Sequence, residues 1–121
     1  MKFRQRILST GTNIFLGRDE ENNDELMKIY SGKENTILHT VASGSPFCVI
    51  EKIKPTKAEI YEAGTVCARY SQDWRDNKNN VRMSVFNGKD TKKNKSMKTG
   101  TWGVKKSKSV IIKREDILSL V

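Results

Sequence analysis

PTKAEIYEAGTVCARYSQDW, residues 55–74, is the stretch around which the rest of the chain can be organised. Pro55 stops whatever precedes it. Thr56-Lys57-Ala58-Glu59 then has the Thr-x-x-Glu spacing in which hydroxyl and carboxylate satisfy each other's backbone N–H groups at a helix start. Ile60, Ala63, Cys67, Tyr70 and Trp74 recur at helical spacing, which predicts one long amphipathic helix ending at the polar cluster Asp76-Asn77-Lys78-Asn79-Asn80.

On both sides of this helix the apolar residues change to a two-residue period. Lys2 to Leu8 reads as an edge strand, and Asn13 to Leu16 as a short apolar strand ended by Gly17. Thr36–Val41 and Phe47–Ile50 flank the turn Ser43-Gly44-Ser45-Pro46, as a hairpin would. Val81 to Phe86 alternates as a half-buried strand should, and Thr101–Val104 with Val110–Ile112 form a further expected pair. Between Gly17 and Gly32, the acidic run Asp19-Glu20-Glu21…Asp24-Glu25 precedes Leu26, Met27, Ile29 and Tyr30. The expectation there is a second helix capped by Asn22 or Asn23. This mixed order predicts an α+β fold: one domain over residues 1–121, a mostly antiparallel or mixed sheet, and helices packed mainly on one face.

A chain of 121 residues with 36% hydrophobic and 31% charged residues suffices for one core and excludes large enzyme folds. The formal charge of +9 is unevenly placed. Residues 1–75 carry eleven basic and ten acidic side chains, whereas residues 78–113 carry eleven basic residues opposed only by Asp90. The excess is concentrated in Lys89, Lys92, Lys93, Lys95, Lys98, Lys105, Lys106 and Lys108. Lysines gathered this way neutralise phosphates and release counterions with little discrimination among bases, which predicts nucleic acid as the partner. Trp102, between Gly100 and Gly103 and close to both lysine clusters, is a candidate for stacking on a base.

Other chemistries find little support. One histidine, His39, and two cysteines, Cys48 and Cys67, supply no paired zinc-ligand pattern, and no glycine-rich phosphate loop is present, so no cofactor or metal is expected. Both thiols read as reduced core residues. The first fifteen residues lack the apolar run of a signal peptide and no stretch approaches membrane-spanning length, so the expectation is a cytoplasmic protein without membrane contact.

The ordered motifs resemble the NFACT-R family of RNA-binding domains, which occurs in ribosome quality-control proteins and as stand-alone chains. Ile14-Phe15-Leu16-Gly17-Arg18 with Asn22-Asn23-Asp24-Glu25-Leu26 is similar to the family's strand-Gly-basic segment and its helix start. Ile37-Leu38-His39, Ser43-Gly44-Ser45 before Phe47-Cys48-Val49-Ile50, and Glu62-Ala63-Gly64-Thr65…Tyr70-Ser71 resemble the following strands and helix. Lys92-Lys93 and Thr99-Gly100-Thr101-Trp102-Gly103-Val104 resemble its basic loop and hairpin. The resemblance spans roughly residues 13–113. Two positions depart from it: Ile37-Leu38 replaces an aromatic before the histidine, and Pro46-Phe47 replaces a second histidine, which argues against any two-histidine function.

The resemblance implies a module that binds tRNA or ribosomal RNA in ribosome-associated quality control or translation, with the large ribosomal subunit as a partner and DNA left open by a related DNA-sensing branch. It also implies site-shaping roles for Arg18, Asn23, His39 and Trp102. The family's other modules are not in this sequence, so the expectation is the binding part alone, not an enzyme. Two alternatives stand beside it: a protein-interaction adaptor of the ribosome, and a metal-dependent nuclease using Asp19, Glu21, Asp24 and Glu25. Oligomeric state is not legible.

Overall fold

The capping box after Pro55 forms as expected. In a computed structural model that describes residues 2–120, the Glu59 N–H donates to Thr56 Oγ1 (3.1 Å) and the Thr56 N–H to Glu59 Oε1 (3.0 Å). The helix it opens is shorter than its periodicity. It runs over Lys57–Arg69, and a second helix covers Gln72–Asn77. Ser71 causes the break: its hydroxyl donates to the Ala68 carbonyl and accepts the Trp74 N–H, diverting the bonds a continuous helix needs. Trp74 still reaches the core at 2% exposure, which is why the spacing appears continuous.

In chain order the elements are β1 (Arg4–Ile7), β2 (Asn13–Leu16), α1 (Glu20–Tyr30), β3 (Thr36–Thr40), β4 (Cys48–Ile50), α2 (Lys57–Arg69), α3 (Gln72–Asn77), β5 (Val81–Asn87), β6 (Thr91–Lys92), β7 (Gly103–Val104), β8 (Lys108–Ile112) and α4 (Arg114–Leu118). The α+β expectation is met by a six-stranded sheet of order β1-β2-β4-β3-β5-β8, antiparallel throughout, with the expected β3–β4 hairpin at its centre. Met1 and Val121, the ends of the expected 1–121 domain, lie outside the described residues.

Two local expectations are corrected. The cap of α1 is Asp19, whose carboxylate accepts the Asn22 N–H (2.8 Å); Asn22 and Asn23 lie inside the first turn and are buried. The strand pair after the basic loop also divides. Gly103–Val104 pairs with Thr91–Lys92 in a separate ribbon, while Lys108–Ile112 joins β5 at the sheet edge. A two-residue strand carries no alternation to read, so its partner is set by where the chain returns.

Alternation along the strands serves two cores. Ile14, Leu16, Leu38, Cys48, Ile50, Met83 and Ile112 pack with Ala63, Cys67, Trp74 and Ile117 beneath α2, α3 and α4. On the opposite face Ile37, Phe47, Val49 and Phe86 pack against Leu26 and Met27 of α1. Among the described residues three of the four α-helices therefore share one face, and α1 covers part of the other.

Candidate nucleic-acid interface

The β6–β7 ribbon decides where the lysines go. Pairing sets Lys92 opposite Gly103 and Thr91 opposite Val104, and the Lys105 N–H continues the ladder to the Asp90 carbonyl (2.8 Å). Residues facing each other across an antiparallel pair share a side, so Lys92 and Lys105 lie on one side of the ribbon while Thr91 and Val104 lie on the other. One lysine from each of two clusters separated by a dozen residues thus shares that side. Lys92, Lys95, Lys98, Lys105, Lys106 and Lys108 are all exposed. Lys89, also exposed, lies 3.7 Å from Glu34.

Lys93 is the exception. Its Nζ turns inward, donating to the carbonyls of Lys98 (2.6 Å) and Thr101 (2.8 Å) and to Asp24 Oδ1 (3.4 Å), over the Trp102 ring. The same carboxylate oxygen accepts the Gly100 N–H and Trp102 Nε1–H, each at 2.9 Å. Asp24 on α1 therefore pins the 93–102 loop. Although burial raises its pKa, the donors from Gly100, Trp102 and Lys93 prevail and hold it below the ordinary carboxylate value. Asp19 is committed to its cap and Asp24 to the loop. Among the described residues, no three His, Cys, Asp or Glu side chains come together as an ion would need, so Asp19, Glu21, Asp24 and Glu25 do not converge as the nuclease alternative requires.

Pinning the loop creates a groove of about 470 Å³ between it and the sheet. His39 and Ser84 form its floor, Trp102 and Val104 one wall, and the Val41–Ser45 turn its end. The His39 ring is half-buried and stacks on Phe47 with centroids 4.3 Å apart, while Phe47 meets Phe86 edge-on. Burial holds the imidazole below its ordinary pKa, against an upward pull from the backbone at Thr40 and Ser45, so the ring is neutral at pH 7.

Beside the groove lies a second hollow of about 270 Å³, lined by Arg4, Arg18, Arg75 and Tyr70; Asn23, Gly44, Ser45 and Glu20 line both. Asn23 explains the junction. Its Oδ1 accepts the Phe47 N–H (3.0 Å) and its Nδ2 donates to the Ser45 carbonyl (3.4 Å), clamping α1 to the start of β4. A Cβ at Gly17 would come within 1.8 Å of that Oδ1, so the Gly17-Arg18 step belongs to the same clamp. Arg4 sits 4.0 Å over the Tyr70 ring, and Arg6 bonds the Tyr70 hydroxyl.

The structure thus brings Asn23, His39 and Trp102 to one groove with Arg18 at its edge, and sets Lys92 on the adjoining ribbon, Lys95, Lys98, Lys105 and Lys106 in the loops beside it, and Lys108 at the start of β8. Sequence reasoning did not single out Arg4, Arg75, Val41 or Val104. The arginines belong to a stretch of the chain whose charges nearly cancel, and only folding brings Arg4 and Arg75 to the same hollow. Among the described residues no helix is long and apolar enough to cross a membrane.

Comparison with known proteins bears on the fold and the family. No curated protein matches the sequence. Among solved structures, the C-terminal part of the fibronectin/fibrinogen-binding protein from Streptococcus suis superposes with a TM-score of 0.84 at 21% identity, over 98% of this chain and 49% of that one. At that identity the likeness shows the fold, and this chain spans about half of that structure's length. The family model described as the NFACT protein RNA binding domain matches residues 2–106, from β1 through the lysine-bearing ribbon. The chain belongs to the NFACT RNA-binding domain family and is an RNA-binding module of mixed α+β fold.

Proposed function

We propose that this module binds a structured RNA, either tRNA or ribosomal RNA, by setting the exposed lysines of its β6–β7 ribbon and the following 105–108 turn against the phosphate backbone. The observation that supports the reading is the cross-ribbon register: Lys92 opposite Gly103 and Lys105 bonded to Asp90 put one lysine of each distant cluster on the same side of the ribbon. Ammonium groups so placed add counterion release without selecting bases, which suits recognition of RNA by shape. A place in the cytoplasm, on the large ribosomal subunit during quality control of translation, fits such a partner. The two free thiols Cys48 and Cys67 are consistent with a reducing compartment. Burial pushes both up, Cys67 to about 12, so they stay unreactive.

The test measures RNA affinity over a range of salt concentrations. Replacing Lys92, Lys95, Lys105 and Lys106 together by Ala should flatten the log–log salt slope by about three units, since each lost phosphate contact removes 0.7–0.9. Lys93 is left intact because it holds the loop. An unchanged slope in a folded variant overturns the footprint. Association with ribosomes that survives nuclease and high salt would favour a protein-docking adaptor instead.

A further inference from the structure

The lysine ribbon suits a backbone of any sequence, but the groove beside it is built differently. It is walled by Trp102, floored by the neutral His39 ring, and flanked by Val41 and Val104, which remain 57% and 38% exposed. The hydroxyls of Ser43, Ser84, Thr99 and Thr101 line it, and among the described residues none makes a hydrogen bond within the protein. Flat apolar walls with uncommitted hydroxyls fit the faces and edges of a nucleobase, and a paired base in a duplex cannot enter them.

The adjoining hollow supplies a charge of the opposite sign to a nucleotide's phosphate. Arg18 and Arg75 are exposed, and Arg4 lies across Tyr70. Arg75 is held in place, donating to the Tyr70 carbonyl (3.2 Å) and to Gln72 Oε1 (2.8 Å). Guanidinium forks match phosphate oxygens in a way lysine point charges do not. The carboxylates of Asp19 and Glu20 also border this hollow; Asp19 is committed to its helix cap, and Glu20 stands at the junction, where an acceptor suits a ribose hydroxyl.

We propose that groove and hollow together form a subsite for one unpaired ribonucleotide, its base stacked in the Trp102–His39 groove and its phosphate held by Arg4, Arg18 and Arg75. The proposal rests on the RNA-binding reading above and adds a preference for unstacked nucleotides, such as those of loops and 3′ ends.

Fluorescence anisotropy with a labelled seven-nucleotide single-stranded RNA and a blunt twelve-base-pair RNA duplex tests it. Arg18→Ala with Arg75→Ala should weaken the single strand about tenfold and the duplex less than twofold, because the duplex engages only lysines. Trp102→Leu should weaken the single strand to a similar extent, and Trp102→Phe, which keeps the ring, should restore most of it. Equal losses on both RNAs overturn the subsite, as does wild-type binding to the duplex with none to the single strand. That last result leaves the lysine footprint standing. Failure of the wild-type protein to bind either RNA at low salt removes both readings together.

Discussion

The two faces of one sheet come to opposite ends. Beneath α2 the inward side chains at the middle of the central strands are sealed: Leu16, Leu38, Ile50 and Met83 are all fully buried, and Val85 further along β5 is partly buried. On the other face the same strands begin in the same way, with Ile37 and Val49 fully buried under α1. Towards β5 and β8, however, the face opens, leaving Arg82 and Ser109 exposed and Ile111 51% exposed. One helix of eleven residues is too short to cover six strands. The remaining cover is a polar loop pinned by a single carboxylate, and the gap it leaves is the groove. The closed face provides stability, and on the reading proposed above the open face provides the binding surface.

The sharpest way to break this contrast is a matched truncation. Leu38→Ala on the closed face should cost about 3 kcal/mol in urea unfolding, from lost burial and the cavity left behind, with RNA affinity of the folded protein unchanged. Ile111→Ala on the open face should stay within about 0.5 kcal/mol. Similar losses at both sites would mean that the open face is covered in solution.

A smaller effect separates the buried carboxylate Glu59 from the partly buried Asp24. Glu59, 1% exposed, accepts from Thr12, the Thr56 backbone, Lys52 and Thr10, which hold its pKa far below the ordinary carboxylate range. A carboxylate depressed on folding stabilises the protein above its unfolded pKa and loses that stabilisation as pH falls towards the folded one. The urea midpoint should therefore fall on acidification below about 4.5, and fall less steeply in Glu59→Gln. Parallel pH curves for the two proteins would assign the acid loss elsewhere, with Asp24 the next group to test.

The smallest effect on stability, and the most selective, belongs to Asp24→Asn. The amide keeps the volume but not the charge that gathers Lys93, Trp102 and Gly100, so the 93–102 loop should become a preferred cleavage site in limited proteolysis while the melting temperature changes less than in Leu38→Ala. Unaltered cleavage would show that the ribbon, not the carboxylate, holds the loop.

Local chemistry was readable in the order of the residues. The Thr56–Glu59 box, the β3–β4 hairpin around Ser43–Pro46 and the alternation of Val81–Phe86 depend on neighbours within a few positions, and all three form. The failures have the same origin. Ser71 ends a helix whose apolar spacing runs on to Trp74, because a hydroxyl competing for backbone bonds does not alter hydrophobic periodicity. Lys93 looked like its exposed neighbours, and only its contact with Asp24, sixty-nine positions away, turns it inward.

From sequence alone come the α+β class, the cationic C-terminal third and the resemblance that draws Arg18, Asn23, His39 and Trp102 together as a set. The tertiary structure decided that β6 pairs with β7, that Lys92 and Lys105 share one side of that ribbon, and that arginines from β1, α3 and the turn after β2 adjoin an aromatic groove. The reason is physical. Capping and periodicity are settled by energies between residues close along the chain, whereas a cleft is settled by strand order, which sets residues side by side whatever their separation in sequence.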